Sequence, residues 1–145
     1  MAITTAMCTS FKGELLGGVH DLDTHTIKLA LIKNGMSGTY GAATTNYSDV
    51  TGNSDEASGT NYSAGGQNLD GAAITTSGTT ALVDFTDEVF SNVTTTAAGC
   101  IIYNSSASNK AICVIDFGGN VQATAGDLTI QFPTADASNA VVRIA

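Results

Sequence analysis

The chain has no tryptophan, a single proline (Pro133), three cysteines and two histidines, and only five basic residues stand against thirteen acidic ones. Each scarcity excludes something. A carbohydrate-binding module or host-recognition domain would be expected to display aromatic platforms, and the best platform residue is missing. Lys12, Lys28, Lys33, Lys110 and Arg143 leave a formal charge of −8, which repels phosphate backbones and anionic lipid, so no direct nucleic-acid or membrane partner is expected. No apolar run approaches the roughly 20 residues of a membrane-spanning helix. The start, Met1-Ala2-Ile3-Thr4, lacks the basic region and apolar core of a signal peptide, and a product made in and soluble in the cytoplasm is expected. Cys8, Cys100 and Cys113 fit neither a paired secreted framework nor metal-ligand spacing. They read as reduced core or interface residues, a Cys100–Cys113 disulfide across a hairpin being the alternative. With two histidines, no Ser-His-Asp or Cys-His arrangement assembles, and the chain is not expected to be an enzyme.

What is present is β-patterning in one ordinary domain, residues 1–145. Leu128, Ile130 and Phe132 alternate with polar residues, as do Ala81, Val83 and Phe85 with Leu82 and Asp84, and Ile27, Leu29 and Leu31 with Thr26, Lys28 and Ala30. In an extended chain each set lines one face. The stretches Cys100-Ile101-Ile102-Tyr103 and Ala111-Ile112-Cys113-Val114-Ile115 are apolar at both parities. Folded as a hairpin around the polar 104–109 loop, they would be apolar on both faces, and the second face would need a helix, a second layer or another subunit to cover it. Strands are expected at 25–33, 67–75, 79–85, 88–94, 98–104, 110–117, 127–132 and 140–144. The fold class is all-β, mainly antiparallel, as a β-sandwich or jelly-roll-like barrel with one short N-terminal helix and a long loop.

The helix belongs to a 1–24 N-terminal segment. Met7, Phe11 and Leu15 share a helical face between residues 6 and 16, and Gly17-Gly18 supply the stop. The loop runs from 34 to 66, rich in Gly, Ser, Thr and Asn, with Tyr40, Tyr47 and Tyr62 spaced through it. It reads as an exposed excursion whose tyrosines contact a partner, or else as a decorated loop with its tyrosines tucked onto its own sheet. Candidate partner or oligomer-interface residues are Ile101, Ile102, Tyr103, Ile112 and Val114 on the hairpin, Tyr40, Tyr47 and Tyr62 on the loop, and Phe11 and Leu15 on the helix.

Chemistry beyond contact is thin. His20, Asp21, Asp23 and His25 offer metal-type ligands, but their placement before a strand fits ordinary turn and cap chemistry. Asn53-Ser54-Asp55-Glu56 lacks the alternating ligands of a calcium loop and reads as a solvated acidic turn. Gly65-Gly66 and Gly118-Gly119 read as turns without a phosphate-cradling pattern. No metal or cofactor is expected. The sequons at Asn46 and Asn92 are assigned no role.

Several passages resemble a family of small structural proteins of tailed bacteriophages: Met1-Ala2-Ile3-Thr4-Thr5-Ala6-Met7-Cys8 with Ser10-Phe11-Lys12 and Glu14-Leu15-Leu16, Ile27-Lys28-Leu29-Ala30-Leu31, Tyr62-Ser63-Ala64-Gly65-Gly66, Ser77-Gly78-Thr79-Thr80-Ala81 with Asp84-Phe85, and Ile130-Gln131-Phe132-Pro133-Thr134-Ala135-Asp136-Ala137. The resemblance implies a virion component with no catalytic motif. Its expected role is a capsid decoration, or cement, protein on the capsid surface in contact with the major capsid protein, and the doubly apolar hairpin of Cys100 to Ile115 adds the expectation of an oligomer, a homotrimer first. A tail or fibre-associated position is the alternative.

Overall fold

The computed structural model describes residues 1–145. In chain order the elements are β1 (Ala2–Ile3), β2 (Ala6–Met7), α1 (Thr9–Leu16), β3 (Ile27–Lys33), β4 (Thr39–Tyr40), α2 (Ser48–Gly52), β5 (Gln67–Asn68), β6 (Ala73–Ser77), β7 (Thr80–Asp84), β8 (Glu88–Asn104), β9 (Lys110–Ile130) and β10 (Val142–Ile144). The fold is mainly antiparallel β and sandwich-like, as the patterning predicts. A five-stranded sheet runs β2-β9-β8-β3-β5, a three-stranded sheet runs β10-β7-β6, and β1 pairs in parallel with β4. Three features depart from the expected elements. The strand expected at 67–75 is divided, β5 joining the five-stranded sheet and β6 the three-stranded one, because Gly71, at φ +66°, turns the chain between them. Residues 88–94 and 98–104 are one strand, and 110–117 and 127–130 are one strand that ends before Gln131, because register shifts absorb the interruptions. Gly118-Gly119 therefore sits in an irregularity within β9, where Ala97 pairs with Val121 and Gly99 with Asp116, and does not end a strand. The helix is also shorter than its periodicity suggests: Ala6 and Met7 pair with Val114 and Cys113 as a strand.

The central sheet buries both of its faces. Leu29, Ile102, Cys113 and Met7 stand opposite one another across four strands, and the next row, Ala30, Ile101, Val114 and Ala6, points to the other side. On the first face Asn104 reaches His20, whose ring lies 4.9 Å from that of Phe11 in α1. His20 and Leu22 then line a cleft with Leu82, Val83 and Val142 of the second sheet. One apolar cluster of 31 buried residues joins these layers. Cys8, Cys100 and Cys113 are buried within it as free thiols, the reduced-core reading of the sequence. Burial raises all three, Cys8 and Cys113 to about 12, which leaves them inert at neutral pH.

The other face is covered by residues 34–66, which correct the expectation of an exposed loop. The segment crosses the sheet from edge to edge as a strap. At the β9 edge the Ala111 amide donates to Thr45 O and the Tyr47 amide to Asn109 O; at the β3 edge the Lys33 amide donates to Asp55 O and the Ala57 amide to Leu31 O. Between the edges Tyr47 stacks on Tyr103, centroids 4.5 Å apart and planes 8° from parallel. The Tyr103 hydroxyl donates to Gly65 O at 2.7 Å. Gly66, at φ +73°, lies against the backbone of β3, where a Cβ would collide with the Leu29 carbonyl and only glycine fits. The strap carries the second helix, α2, which the sequence reading did not include.

Two consecutive carboxylates tie the strap down, correcting the solvated acidic turn expected at 53–56. Asp55 is fully buried. It accepts from the Tyr40 hydroxyl at 2.6 Å and from the Ser37 and Gly38 amides at 2.9 and 2.7 Å, with Lys33 Nζ 3.4 Å away. Burial alone would raise this carboxyl, but those donors outweigh it and hold it well below the ordinary carboxylate range. Glu56 accepts from the Tyr47 hydroxyl, from the Tyr62 hydroxyl at 2.9 Å and from the Gly65 amide at 2.7 Å. A depressed carboxyl contributes stability above its unfolded pKa and loses it as pH falls through the folded one. Acid titration of the melting temperature should thus show a loss that begins below about pH 4, the ordinary Asp value. Asp55→Asn should flatten that loss and cost about 2–3 kcal/mol at pH 7, the scale of hydrogen bonds to a charged group. Chemical denaturation across the same pH range measures both.

Candidate interaction surface

The second sheet is a hairpin with one added strand. Gly78, at φ +61°, opens the two-residue turn between β6 and β7, and Ser77 closes it opposite Thr80. Register then places Ile74 beside Val83 and Thr76 beside Ala81, with Val142 and Ile144 of β10 completing the same face. This face forms a cleft of about 410 Å³ whose far wall is Leu15, His20, Asp21 and Leu22. A second cleft of about 420 Å³ continues it around the end of α1, lined by Met7, Lys12, Leu16, Arg143 and Ala145, with Leu15 and Ile144 common to both. Three large apolar side chains on this end meet solvent: Leu16 is 91 % exposed, Ile74 55 % and Ile144 48 %. Scattered exposed apolar residues are ordinary, whereas a contiguous set around paired clefts makes this end the candidate interaction surface.

The polar walls of the clefts are fixed from within. His20 Nε2 lies 2.7 Å from Glu14 Oε2, and Asn104 Nδ2 lies 3.0 and 2.9 Å from the Nδ1 atoms of His20 and His25. The Asp21 carboxylate accepts from the Asp23 and Thr24 amides at 3.1 and 3.2 Å and from the Thr24 hydroxyl at 2.7 Å. The Thr24 hydroxyl leads the hydrogen bonds that hold Asp21 below its ordinary pKa. This is the turn chemistry read from the sequence. No three His, Cys, Asp or Glu side chains converge as a metal site would require. Arg143 Nη1 donates to Ala137 O at 2.9 Å, which ties the 133–141 connection to β10 beside the second cleft. What the arrangement supplies is apolar area framed by Lys12, Arg143 and Asp21.

Most residues singled out for contact serve the core. Ile101 and Ile102 are both 0 % exposed, Tyr40 is 1 % exposed, and Phe11, Tyr103, Ile112 and Val114 are likewise buried. Tyr47 and Tyr62 are half-buried, their hydroxyls committed to Glu56. The hairpin is therefore no free association face, because its second apolar side is covered by its own chain. Leu15 alone of the ten lines the clefts. Leu16, Ile74 and Ile144 were missed. The signal for Leu16 was its place off the Met7–Phe11–Leu15 face, and the signal for Ile74 was a lone large apolar residue in the uncharged stretch Ala73-Ile74-Thr75-Thr76-Ser77. No helix is long and apolar enough to cross a membrane.

No family model, curated protein or solved structure matches the chain.

Two substitutions separate core from surface. Ile102→Asp, which places a carboxylate in a fully buried position, should cost several kcal/mol and unfold the chain at any protein concentration, as measured by denaturant titration. Leu16→Ser should stay within about 0.5 kcal/mol of the parent in the same titration, since it is a surface change. It should also reduce the binding of an apolar fluorescent dye.

Proposed function

We propose that the chain is a non-enzymatic structural protein of a tailed-bacteriophage virion, a capsid decoration protein that stabilises the assembled head by bridging neighbouring copies of the major capsid protein. The observation that carries this reading is the contiguous apolar surface of Leu15, Leu16, Ile74 and Ile144 on a body whose own core is already complete. Together with the family resemblance of the sequence, it favours a protein that works by burying area against a partner.

The physics of the role needs no catalysis. A shell strained by packaged DNA fails first where its subunits meet, and a small domain that buries apolar surface across those junctions adds free energy there, at roughly 25 cal/mol per Å² removed from water. The folded strap matters here. Because residues 34–66 are already ordered on the sheet, the ordering entropy that a flexible contact loop would lose on docking is spent in folding instead. The acidic exterior, −8 overall, keeps free copies soluble and poorly attracted to DNA. The hairpin that motivated a trimer is occupied by the strap, so contact with the shell and with other copies falls to the cleft-bearing end.

Particles lacking the protein are expected to assemble with normal geometry and to release DNA at a lower temperature than complete particles. Readdition of purified protein should restore much of the difference, and readdition of Leu16→Ser should restore less. Depleted particles that resist heat as well as complete ones but fail to adsorb to host cells would replace this reading with the tail or fibre-associated one.

A further inference from the structure

The open edge of the second sheet carries an inference that does not depend on the capsid reading. Across the two-residue hairpin, Ser77 and Thr80 form the closing hydrogen-bonded pair, so Thr75–Leu82 and Ala73–Asp84 are also hydrogen-bonded pairs. Ile74 and Thr76 therefore aim their amides and carbonyls away from β7, and none of these four groups has a backbone or side-chain partner within the chain. Exposed edges are normally blunted by charge, proline, a bulge or brevity. The other edges follow that rule. β2 and β5 are two residues each, β10 is three residues and carries Arg143, and the β8–β9 ribbon beyond β2 and β3 is broken by register shifts and carries Glu88, Asp116 and Asp127. β6 is five residues, unbulged, uncharged and rich in β-branched side chains, and residues 73–76 are all exposed.

We propose that β6 pairs antiparallel with β6 of a second copy, about a two-fold axis through Thr75. That register sets Ile74 opposite Thr76 of the second copy and Thr76 opposite its Ile74. The four free backbone groups of each copy then meet complementary ones, and the two Ile74 side chains become diagonal neighbours on the cleft face. The charge pattern selects this occupant and this direction. Two copies of net charge −8 repel over most of their surfaces, but no charged residue lies between Asp70 and Asp84. Asp70, Asp84 and Asp87 gather at the open end of the β6–β7 hairpin, whereas the turn end, Ser77-Gly78-Thr79-Thr80, is uncharged. Antiparallel pairing lays the acidic end of each copy beside the uncharged turn of the other; parallel pairing would bring the acidic ends together. The product is a continuous six-stranded sheet, β10-β7-β6 followed by β6-β7-β10, with both clefts on one face. A self-paired edge of this kind is isologous and closes, so it stops at two copies.

Thr75→Cys tests the register directly. At the axis the residue faces its own equivalent as a non-hydrogen-bonded pair, about 4.5 Å between Cα atoms, which is within disulfide reach. The native thiols are buried and do not compete. Under mild oxidation Thr75→Cys should give a reductant-sensitive dimer, and Thr76→Cys, which faces Ile74, should give about tenfold less. Sedimentation of the unmodified protein should show its mass rising towards twice that of one chain as concentration approaches the millimolar range. Ile74→Lys should abolish that rise without shifting the melting temperature. If that variant is destabilised, Thr76→Pro removes an outward amide while leaving the β7 pairing in place, and gives the same readout. Monomer at every concentration, or equal cross-linking at positions 75 and 76, overturns the proposal. A strictly monomeric protein that nevertheless loses binding to purified capsids on Ile74→Lys also overturns it, and leaves Ile74 as a shell contact of the cleft-bearing end.

Discussion

Alternate rows of the central sheet, Leu29-Ile102-Cys113-Met7 and Ala30-Ile101-Val114-Ala6, bury opposite faces, and this two-sided burial is the constraint the rest of the molecule answers to. Each fully buried Leu, Ile or Val among them is worth about 1.5–3 kcal/mol when removed from water, so leaving either face open would forfeit a large part of the stability of a domain this size. One face is closed in the usual way for a sandwich, by a second layer made of α1, the 20–22 segment and the smaller sheet. The other is closed by a segment whose composition, glycine, serine, threonine and asparagine, supplies few apolar side chains of its own. It covers the sheet with tyrosine rings and backbone.

Cover of that kind has to be anchored by polar chemistry, and Asp55 and Glu56 provide it. Successive residues of an extended chain point to opposite sides. Asp55 reaches to Ser37, Gly38 and Tyr40 on the incoming half of the strap, while Glu56 reaches to Tyr47, Tyr62 and Gly65. Two adjacent acids thus close two loops at once, and Ile32 bridges to Glu56 along the β3 edge, fixing both relative to the sheet. The tyrosines respond in kind. Burial, followed by the hydrogen bond to Asp55, lifts the Tyr40 phenol to about 12, and burial with the nearby Glu56 carboxylate does the same for Tyr103. The rings therefore stay neutral donors through the physiological range. Removing one partner would leave a buried carboxylate unpaired, which costs more than the hydrogen bonds themselves contribute.

Alternation in the sequence was enough to place most strands and to identify the hairpin as doubly apolar, because period-two patterning depends on local geometry alone. It could not say what covered the second face. Self-cover and a partner chain impose the same apolar pattern on Ile101 and Ile102, and only long-range pairing distinguishes them. The acidic pair at 55–56 was illegible for a related reason. Asp and Glu in a polar stretch are solvated unless distant donors are brought to them, and the donors to Asp55 come from as far away as Ser37 and Lys33. The merged strands are a third case: Gly118-Gly119 reads locally as a turn, and only the partner strand, continuous from Glu88 to Asn104, shows that β9 resumes its pairing beyond the interruption.

The same division of labour separates stability from association. In the large sheet the β9 edge up to Val114 is taken up by β2 and by residues 45–47, and the β3 edge by β5 and residues 55–57, while the rest of the β9 edge is interrupted by register shifts and carries Asp116 and Asp127. The regular, uncharged edge that remains open is β6 of the smaller sheet, and Leu16, Ile74 and Ile144 present apolar area around the clefts. Substitutions in the strap act on whether the chain folds; substitutions at Leu16 or Ile74 act on what the folded chain can join. Because the two groups share no hydrogen bond, their effects should add nearly independently. In the proposed role, binding strength at the cleft-bearing end is then free to vary without loosening the core that holds it in place.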